Sequence, residues 1–171
     1  ASDLPDEKHP ESPPREELMS HPLAAAPRSD TVAKMPGHWL LAKMGKRVLR
    51  PGGRELTERL LGELQIEPID DVVEFAPGLG ETTRLTLTRR PASYTAVERD
   101  QAAASEVSRL LTGPHQRCVA GTAEQTGLGS ESATVVYGEA MLSMQPPSAK
   151  AKIVNEAARL LRADGRYGIH E

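Results

Sequence analysis

The stretch of sequence that decides the fold is VVEFAPGLGETT, residues 72–83. An apolar run typical of a buried strand leads into a turn with Gly78 and Gly80, and a predicted helix begins near Glu81. Glycine leaves main chain open to close approach by a ligand, so this turn predicts a binding site. The helix after it would offer unpaired N–H groups and a positive dipole end to a carboxylate or phosphate.

Strands and helices alternate from this stretch to residue 171. We predict strands at 70–75, 92–98, 115–121, 132–138 and 166–171, and helices at 81–90, 101–111 and 149–161. This alternation predicts an α/β fold, a Rossmann-like parallel sheet with helices on both faces. Open parallel sheets bind ligands beyond the carboxyl ends of their strands, which is where the glycine turn would lie.

The chain ahead of this domain has a different composition. Residues 1–30 are rich in Pro, Ser, Asp and Glu and lack apolar periodicity, so we expect a disordered or loosely attached arm. Residues 31–66 predict N-terminal helices, which would form either a lid over the ligand or an ordinary packing layer. The second helix, over 54–65, is predicted to turn three leucines inward: Leu56, Leu60 and Leu64. Residues 67–171 form the predicted binding domain.

Composition excludes several classes of function. A net charge of −3 and a pI near 6.0 argue against nucleic acid as a partner. No apolar run has the length of a membrane span. The single cysteine, Cys118, fits a reducing compartment, so we expect a cytoplasmic protein. The five histidines lack metal-ligand spacing, and we expect no metal.

Acidic residues around the turn restrict the ligand. A dinucleotide site favours G-x-G-x-x-G, but Glu81 stands three positions after Gly78 and would repel a pyrophosphate. Glu98, at the end of the second predicted strand, can accept hydrogen bonds from both ribose hydroxyls. Glu74 suits a ligand with a positive amino group. These residues favour a phosphate-free nucleoside with a cationic amino-acid part, namely S-adenosylmethionine.

Four segments carry a family resemblance. They are VVEFAPGLGETT (72–83), YTAVERD (94–100), VAGTAEQTGLGSESATVVYGEAMLSMQP (119–146) and EAARLLRADGRYGIHE (156–171). In order and spacing they resemble the motifs of class I S-adenosylmethionine-dependent methyltransferases of the type 11 kind. The resemblance covers about residues 69–171 and implies S-adenosylmethionine as cofactor and S-adenosylhomocysteine as product.

The resemblance also implies roles for individual residues. The methionine part of the cofactor would contact the first motif: Glu74 near its amino group, with Ala76, Gly78 and Gly80 alongside. The nucleoside would contact residues after the second and third strands: Glu98 at the ribose, with Arg99, Thr122 and Ala123 beside the adenine. The transferable methyl group would lie near the end of the fourth strand, close to Glu139, Ala140 and Met141. Three residues are candidates for a catalytic base: Glu139, Tyr137 and His170.

The sequence departs from the family pattern in four ways. Ala76 replaces the first glycine, Thr122 stands where an aspartate often contacts the adenine amino group, and Thr134 replaces the usual acid within the fourth strand. The family's sheet normally continues beyond its fifth strand with two more. We therefore expect either a fragment, or a fifth strand whose edge is covered by an oligomeric partner, a missing C-terminal segment or the N-terminal arm.

Three functions follow from these residues. The first is an enzyme that transfers a methyl group to a small-molecule acceptor by direct displacement. The second is a non-catalytic methyltransferase-like module that acts through binding. The third, a nicotinamide-dependent oxidoreductase, is disfavoured by the glycine spacing and by Glu81. The sequence does not identify the acceptor, and a protein acceptor stays open.

Overall fold

The computed structural model describes residues 52–171, which form one five-stranded parallel sheet. The strands are β1 (Asp71–Phe75), β2 (Ser93–Glu98), β3 (Gln116–Ala120), β4 (Ala133–Glu139) and β5 (Leu161–His170). They lie side by side in the order β3-β2-β1-β4-β5, and every pair is parallel. The predicted Rossmann-like α/β fold is confirmed.

Four helices accompany the sheet in this part of the chain. They are α1 (Gly53–Leu64), α2 (Glu81–Leu87), α3 (Gln101–Ser108) and α4 (Pro147–Leu160). Helix α1 precedes β1, while α2, α3 and α4 connect β1 to β2, β2 to β3 and β4 to β5. The connection from β3 to β4, residues 121–132, contains no helix.

Strand order reverses between β1 and β4, which places a crevice at the carboxyl ends of these two strands. The registers align the ends closely: Phe75 is opposite Val97 of β2 and Gly138 of β4. Glu139 is opposite His170 of β5. The glycine turn therefore begins at the switch point, next to the last residues of β2 and β4.

Each face of the sheet has its own apolar core, because residues along a strand alternate between the faces. Helices α1, α2 and α3 cover the first face, whose buried residues include Leu61, Leu64, Val72, Tyr94, Val107 and Val135. Helix α4 covers the second face, whose buried residues include Val73, Phe75, Val136, Ile153 and Leu160. Helices on both faces are thus confirmed.

Arginines stabilise the amino edge of the sheet. The Asp70 carboxylate is buried and accepts hydrogen bonds from the Glu67 N–H and the Thr134 hydroxyl, both at 2.7 Å, and from the Arg166 guanidinium. Burial alone would raise the pKa of Asp70, but these donors together lower it. Asp71 pairs with Arg162 at 2.9 Å.

Two local predictions are wrong. Helix α1 buries Leu64 as predicted, but its other buried residues are Thr57 and Leu61; Leu60 is only partly buried and Leu56 is 38% exposed. This face of the helix packs Leu61 and Leu64 into the first core and lets the Thr57 hydroxyl donate to a carboxylate at the sheet edge. Leu161, predicted as the last residue of a helix, is the first residue of β5, where it is opposite Ala133.

Several predictions concern residues that the structure does not describe. The arm over residues 1–30 lies outside the described residues, as does the part of the predicted helical lid that precedes residue 52. The domain boundaries therefore stay predictions.

Candidate functional site

The turn after β1 holds three residues in the left-handed region of the backbone. The φ angles are 51° at Ala76, 57° at Gly78 and 77° at Gly80. This region suits glycine, so the family's preference for glycine at the first of these positions has a conformational cause, and Ala76 adopts it under strain. The Ala76 N–H donates to the Val97 carbonyl at 2.9 Å, which ties the turn to β2.

The two glycines serve different purposes. A Cβ added at Gly78 would meet no atom of residues 52–171 within 4 Å, so this part of the chain leaves that side of the turn open to a ligand. A Cβ added at Gly80 would lie 2.6 Å from Leu110 Cδ1, so Gly80 lets the segment after α3 pack closely against the turn. The sequence could not separate these roles, because the packing partner lies 30 residues away.

Glu98, the last residue of β2, turns its carboxylate toward the glycine turn. One carboxylate oxygen accepts from the Gly78 N–H at 3.1 Å and the other from the Asp100 N–H at 2.9 Å. The side chain is largely buried, and no lysine or arginine of residues 52–171 lies within ion-pair distance of it. Because a carboxylate has about four acceptor positions, two remain for further donors.

The residues predicted to border an adenine follow β3 directly. Glu98 is opposite Ala120 in the sheet, and the Gly121 N–H donates to the Glu98 carbonyl at 3.1 Å. Thr122 is exposed, and Ala123 is buried against the second apolar core. Arg99 is exposed at the end of β2. The structure thus brings these predicted residues to the same corner as Glu98.

Glu74 lies one residue before the end of β1 and is buried on the face that α2 covers. Its carboxylate accepts from the Thr83 hydroxyl at 3.0 Å and from the Tyr94 hydroxyl, which itself lies 2.9 Å from Thr83 Oγ1. Burial raises the pKa of Glu74 to about 7, although the hydroxyl donors oppose that shift. A proton or a nearby positive charge would therefore stabilise this site.

Tyr137 lies away from the open edge. Its side chain is fully buried, and its hydroxyl lies 2.7 Å from Thr86 Oγ1 beneath α2. Burial raises the pKa of Tyr137 well above its usual value, and the negative charge of Glu74 adds to this. The structure therefore does not bring this candidate base together with the other two.

Glu139 and His170, the last residues of β4 and β5, do come together. His170 Nδ1 lies 2.8 Å from Glu139 Oε1, and the side chains are 9% and 6% exposed. The same oxygen accepts from the Thr57 hydroxyl at 2.8 Å, and the other carboxylate oxygen accepts from the Thr82 hydroxyl. Thr82 is two residues beyond Gly80, so this cluster adjoins the glycine turn.

The residues after β4 form a tight turn. Ala140 has a φ of 48°, and its N–H donates to the His170 carbonyl at 2.8 Å. Three consecutive N–H groups, those of Met141, Leu142 and Ser143, donate to the Glu171 carboxylate at 2.7 to 3.2 Å. This turn fixes the backbone on either side of the Glu139 and His170 pair.

Sequence reasoning missed three residues of the site: Thr57, Thr82 and Asp100. Thr57 and Thr82 donate to Glu139 from 82 and 57 residues away, which no local pattern reveals. Asp100 had a local signal. Its side chain accepts from the Ala103 N–H at 2.8 Å, and an aspartate just before a helix is a common N-cap.

These residues fit the cofactor that the sequence implies. The open side of Gly78 leaves room beside the main chain, and Glu98 presents unused acceptor positions at the same place. Acceptors there match ribose hydroxyls. Glu74 and Glu98 form no ion pair with a lysine or arginine of residues 52–171, so their negative charge matches a cationic ligand better than a pyrophosphate. Residues 52–171 contain no group of three His, Cys, Asp or Glu side chains placed to hold a metal ion.

This fold and this edge define a class of protein. Residues 73–169 match the model of the methyltransferase domain family, which is more than half of the chain. The chain therefore belongs to the methyltransferase domain family. Among residues 52–171, no helix is long and apolar enough to cross a membrane.

Known proteins resemble the chain over part of their length. An uncharacterized protein of Haemophilus influenzae is 31% identical over 140 residues, which is 79% of this chain and 55% of that protein. The YcgJ protein of Bacillus subtilis superposes with a TM-score of 0.60 and 19% identity, over 67% of this chain and 49% of that one. Geranyl diphosphate C-methyltransferase of Streptomyces coelicolor was solved with S-adenosylhomocysteine. It superposes with a TM-score of 0.58 and 23% identity, over 67% of this chain and 43% of that one. The chain thus spans about half the length of these proteins.

Proposed function

We propose that this chain is an S-adenosylmethionine-dependent methyltransferase domain that methylates a small-molecule acceptor. One observation carries the proposal: the Glu98 carboxylate lies at the end of β2 and is hydrogen-bonded to the Gly78 N–H, next to a turn at which Gly78 leaves space among residues 52–171. Family membership and a related fold solved with S-adenosylhomocysteine support the choice of cofactor.

Each residue of the site has a proposed task. Glu98 binds the ribose hydroxyls with its remaining lone pairs, while Arg99, Thr122 and Ala123 border the adenine. Gly78 and Ala76 offer main chain to the methionine part, and Gly80 keeps the turn against Leu110. Glu74 supplies negative charge beneath the turn, which stabilises the cationic amino group.

The site residues would act by alignment. When bound, S-adenosylmethionine supplies an electrophilic methyl group on a positively charged sulfur. The chain has to hold the acceptor in line with the methyl group and exclude water, since correct orientation provides much of the rate enhancement in such reactions. Glu139, Ala140 and Met141 lie at the end of β4, where we place the acceptor. The cytoplasmic location stays a prediction.

The alternative is a non-catalytic methyltransferase-like module that acts through binding to partners, with or without the cofactor. Thr122 favours it, because an exposed threonine stands where an aspartate often secures the adenine. Only the first proposal requires both cofactor binding at Glu98 and transfer of a labelled methyl group.

Substitution of Glu98 tests cofactor binding directly. In calorimetric titrations with S-adenosylhomocysteine, we expect Glu98→Ala to weaken binding by about 1–3 kcal/mol, since bound hydroxyls would lose their acceptor. Glu106→Ala is the matched control, because this acid is exposed on α3 and pairs with the exposed Arg109. Equal affinities for Glu98→Ala and the wild type would refute the ribose assignment.

A further inference from the structure

The pair of Glu139 and His170 contains a buried nitrogen that has no role in the proposed binding of the cofactor. The second ring nitrogen of His170, Nε2, is buried and has no hydrogen-bond partner among the described residues. The side chain is about nine-tenths buried. Leaving a buried polar atom unsatisfied costs roughly 1–3 kcal/mol, so native proteins rarely keep one without a function.

The contacts of Glu139 determine which ring nitrogen of His170 can accept a proton from a ligand. Because Glu139 Oε1 lies 2.8 Å from Nδ1, that nitrogen carries a proton and donates it to the carboxylate. In the neutral ring, Nε2 then holds a lone pair and points away from Glu139. The carboxylate itself is a poor base for a ligand, since both of its oxygens already accept from side-chain donors.

The location of the pair connects it to the proposed reaction. Both residues end their strands at the carboxyl edge, and Thr82 links Glu139 to the start of α2, immediately beyond the glycine turn. An imidazole supported by a carboxylate is a common arrangement for a general base, because the carboxylate stabilises the imidazolium that forms.

We propose that His170 Nε2 is the general base for an acceptor with a weakly acidic O–H or N–H group, with Glu139 as its positioning residue. The inference rests on the proposed function. The bond between the acceptor oxygen or nitrogen and the methyl carbon forms as the carbon–sulfur bond breaks, and the latter's electron pair stays on sulfur. The acceptor's proton passes to Nε2, and the resulting imidazolium pairs with Glu139. An acceptor methylated without proton loss would not need this nitrogen.

The tautomer of His170 provides a test that needs no knowledge of the natural acceptor. In long-range ¹H–¹⁵N spectra of the full chain saturated with S-adenosylhomocysteine, we expect the neutral ring of His170 to carry its proton on Nδ1 and to leave Nε2 bare. His170→Asn identifies the resonances, and its amide can still donate to Glu139. His170→Gln serves the same purpose if the asparagine variant does not fold. A proton on Nε2 of the neutral ring would overturn the proposal.

A pair of probes tests the acceptor class. We expect p-cresol to shift the Nε2 resonance of the S-adenosylhomocysteine complex, whereas toluene, which lacks the hydroxyl, leaves it unchanged. His170→Asn should weaken p-cresol binding by roughly fivefold, as expected for a single hydrogen bond. His115→Asn is the matched control, since His115 is exposed at the amino edge of the sheet.

The outcomes separate this inference from the proposed function. Equal responses to p-cresol and toluene, or a loss of p-cresol affinity in both variants, would contradict the role of Nε2 while cofactor binding stands. Failure of S-adenosylhomocysteine to bind the wild type would instead refute the proposed function itself.

Discussion

At the amino edge of the sheet, acids face arginines, whereas Glu74 and Glu98 at the carboxyl edge face neutral donors among residues 52–171. Asp70 and Asp71 pair with Arg166 and Arg162. Glu74 and Glu98, by contrast, accept from hydroxyl and main-chain groups, and no lysine or arginine of residues 52–171 lies within ion-pair distance.

This difference indicates that the acids of the amino edge stabilise the fold, whereas Glu74 and Glu98 at the carboxyl edge suit the binding of a ligand. At the amino edge, the donors around Asp70 lower its pKa and the pairs hold neighbouring strands together. At the carboxyl edge, burial raises the pKa of Glu74 to about 7, so its negative charge is stabilised only in part. A cationic ligand would gain most from such charge, which agrees with a cofactor that carries both a sulfonium and an amino group.

The largest expected effect concerns stability at the amino edge. Asp70→Ala removes the acceptor of three donors and leaves Arg166 without its partner, so we expect the free energy of unfolding to fall by about 3 kcal/mol. Urea denaturation at neutral pH measures this loss. The affinity for S-adenosylhomocysteine should stay within about twofold of the wild type, because the substitution lies at the opposite edge from the glycine turn. If Asp70→Ala instead lost much of its affinity for S-adenosylhomocysteine while its free energy of unfolding stayed unchanged, the amino edge would serve binding rather than stability.

A smaller, pH-dependent effect is expected at Glu74. Because its pKa is raised in the folded protein, from 4.5 to about 7, the wild type loses stability as pH rises from about 4.5 to 7. Glu74→Gln cannot ionise, so we expect it to exceed the wild type by about 1–2 kcal/mol at pH 8. At pH 5 it should be the less stable protein, since its amide NH₂ then lacks an acceptor.

Thermal unfolding between pH 5 and pH 8 checks the expected crossing of the two curves. Glu63→Gln, at an exposed position of α1, is the control and should follow the wild type throughout. Parallel curves for Glu74→Gln and the wild type would show that the charge of Glu74 is compensated, and the contrast between the two edges would then be lost.

The sequence predicted the residues that end strands. Glu98, Glu139 and His170 all follow short apolar runs, and such runs locate strand ends to within one or two residues. Since the carboxyl ends of parallel strands meet at one edge, their proximity follows from the order of strands and helices. The same reasoning could not assign Tyr137, because burial beneath α2 depends on how the helix packs.

Contacts between distant segments could not be predicted. Thr57 of α1 is buried in contact with Glu139, whereas helical periodicity favoured Leu56, which is exposed. The arginine pairs of the amino edge likewise join residues about 90 positions apart in sequence. Local patterns therefore predicted which residues lie at the carboxyl edge but did not reveal the hydroxyl donors that contact them.

The proposed function depends most on which ligand binds at the glycine turn. Calorimetric titration of the wild-type chain with S-adenosylmethionine, S-adenosylhomocysteine and NAD tests this directly. We predict dissociation constants on the order of micromolar for the first two, about −8 kcal/mol, and no measurable binding of NAD. Binding of NAD without the other two would contradict the account, because it would mean that a pyrophosphate occupies the turn beside Glu81.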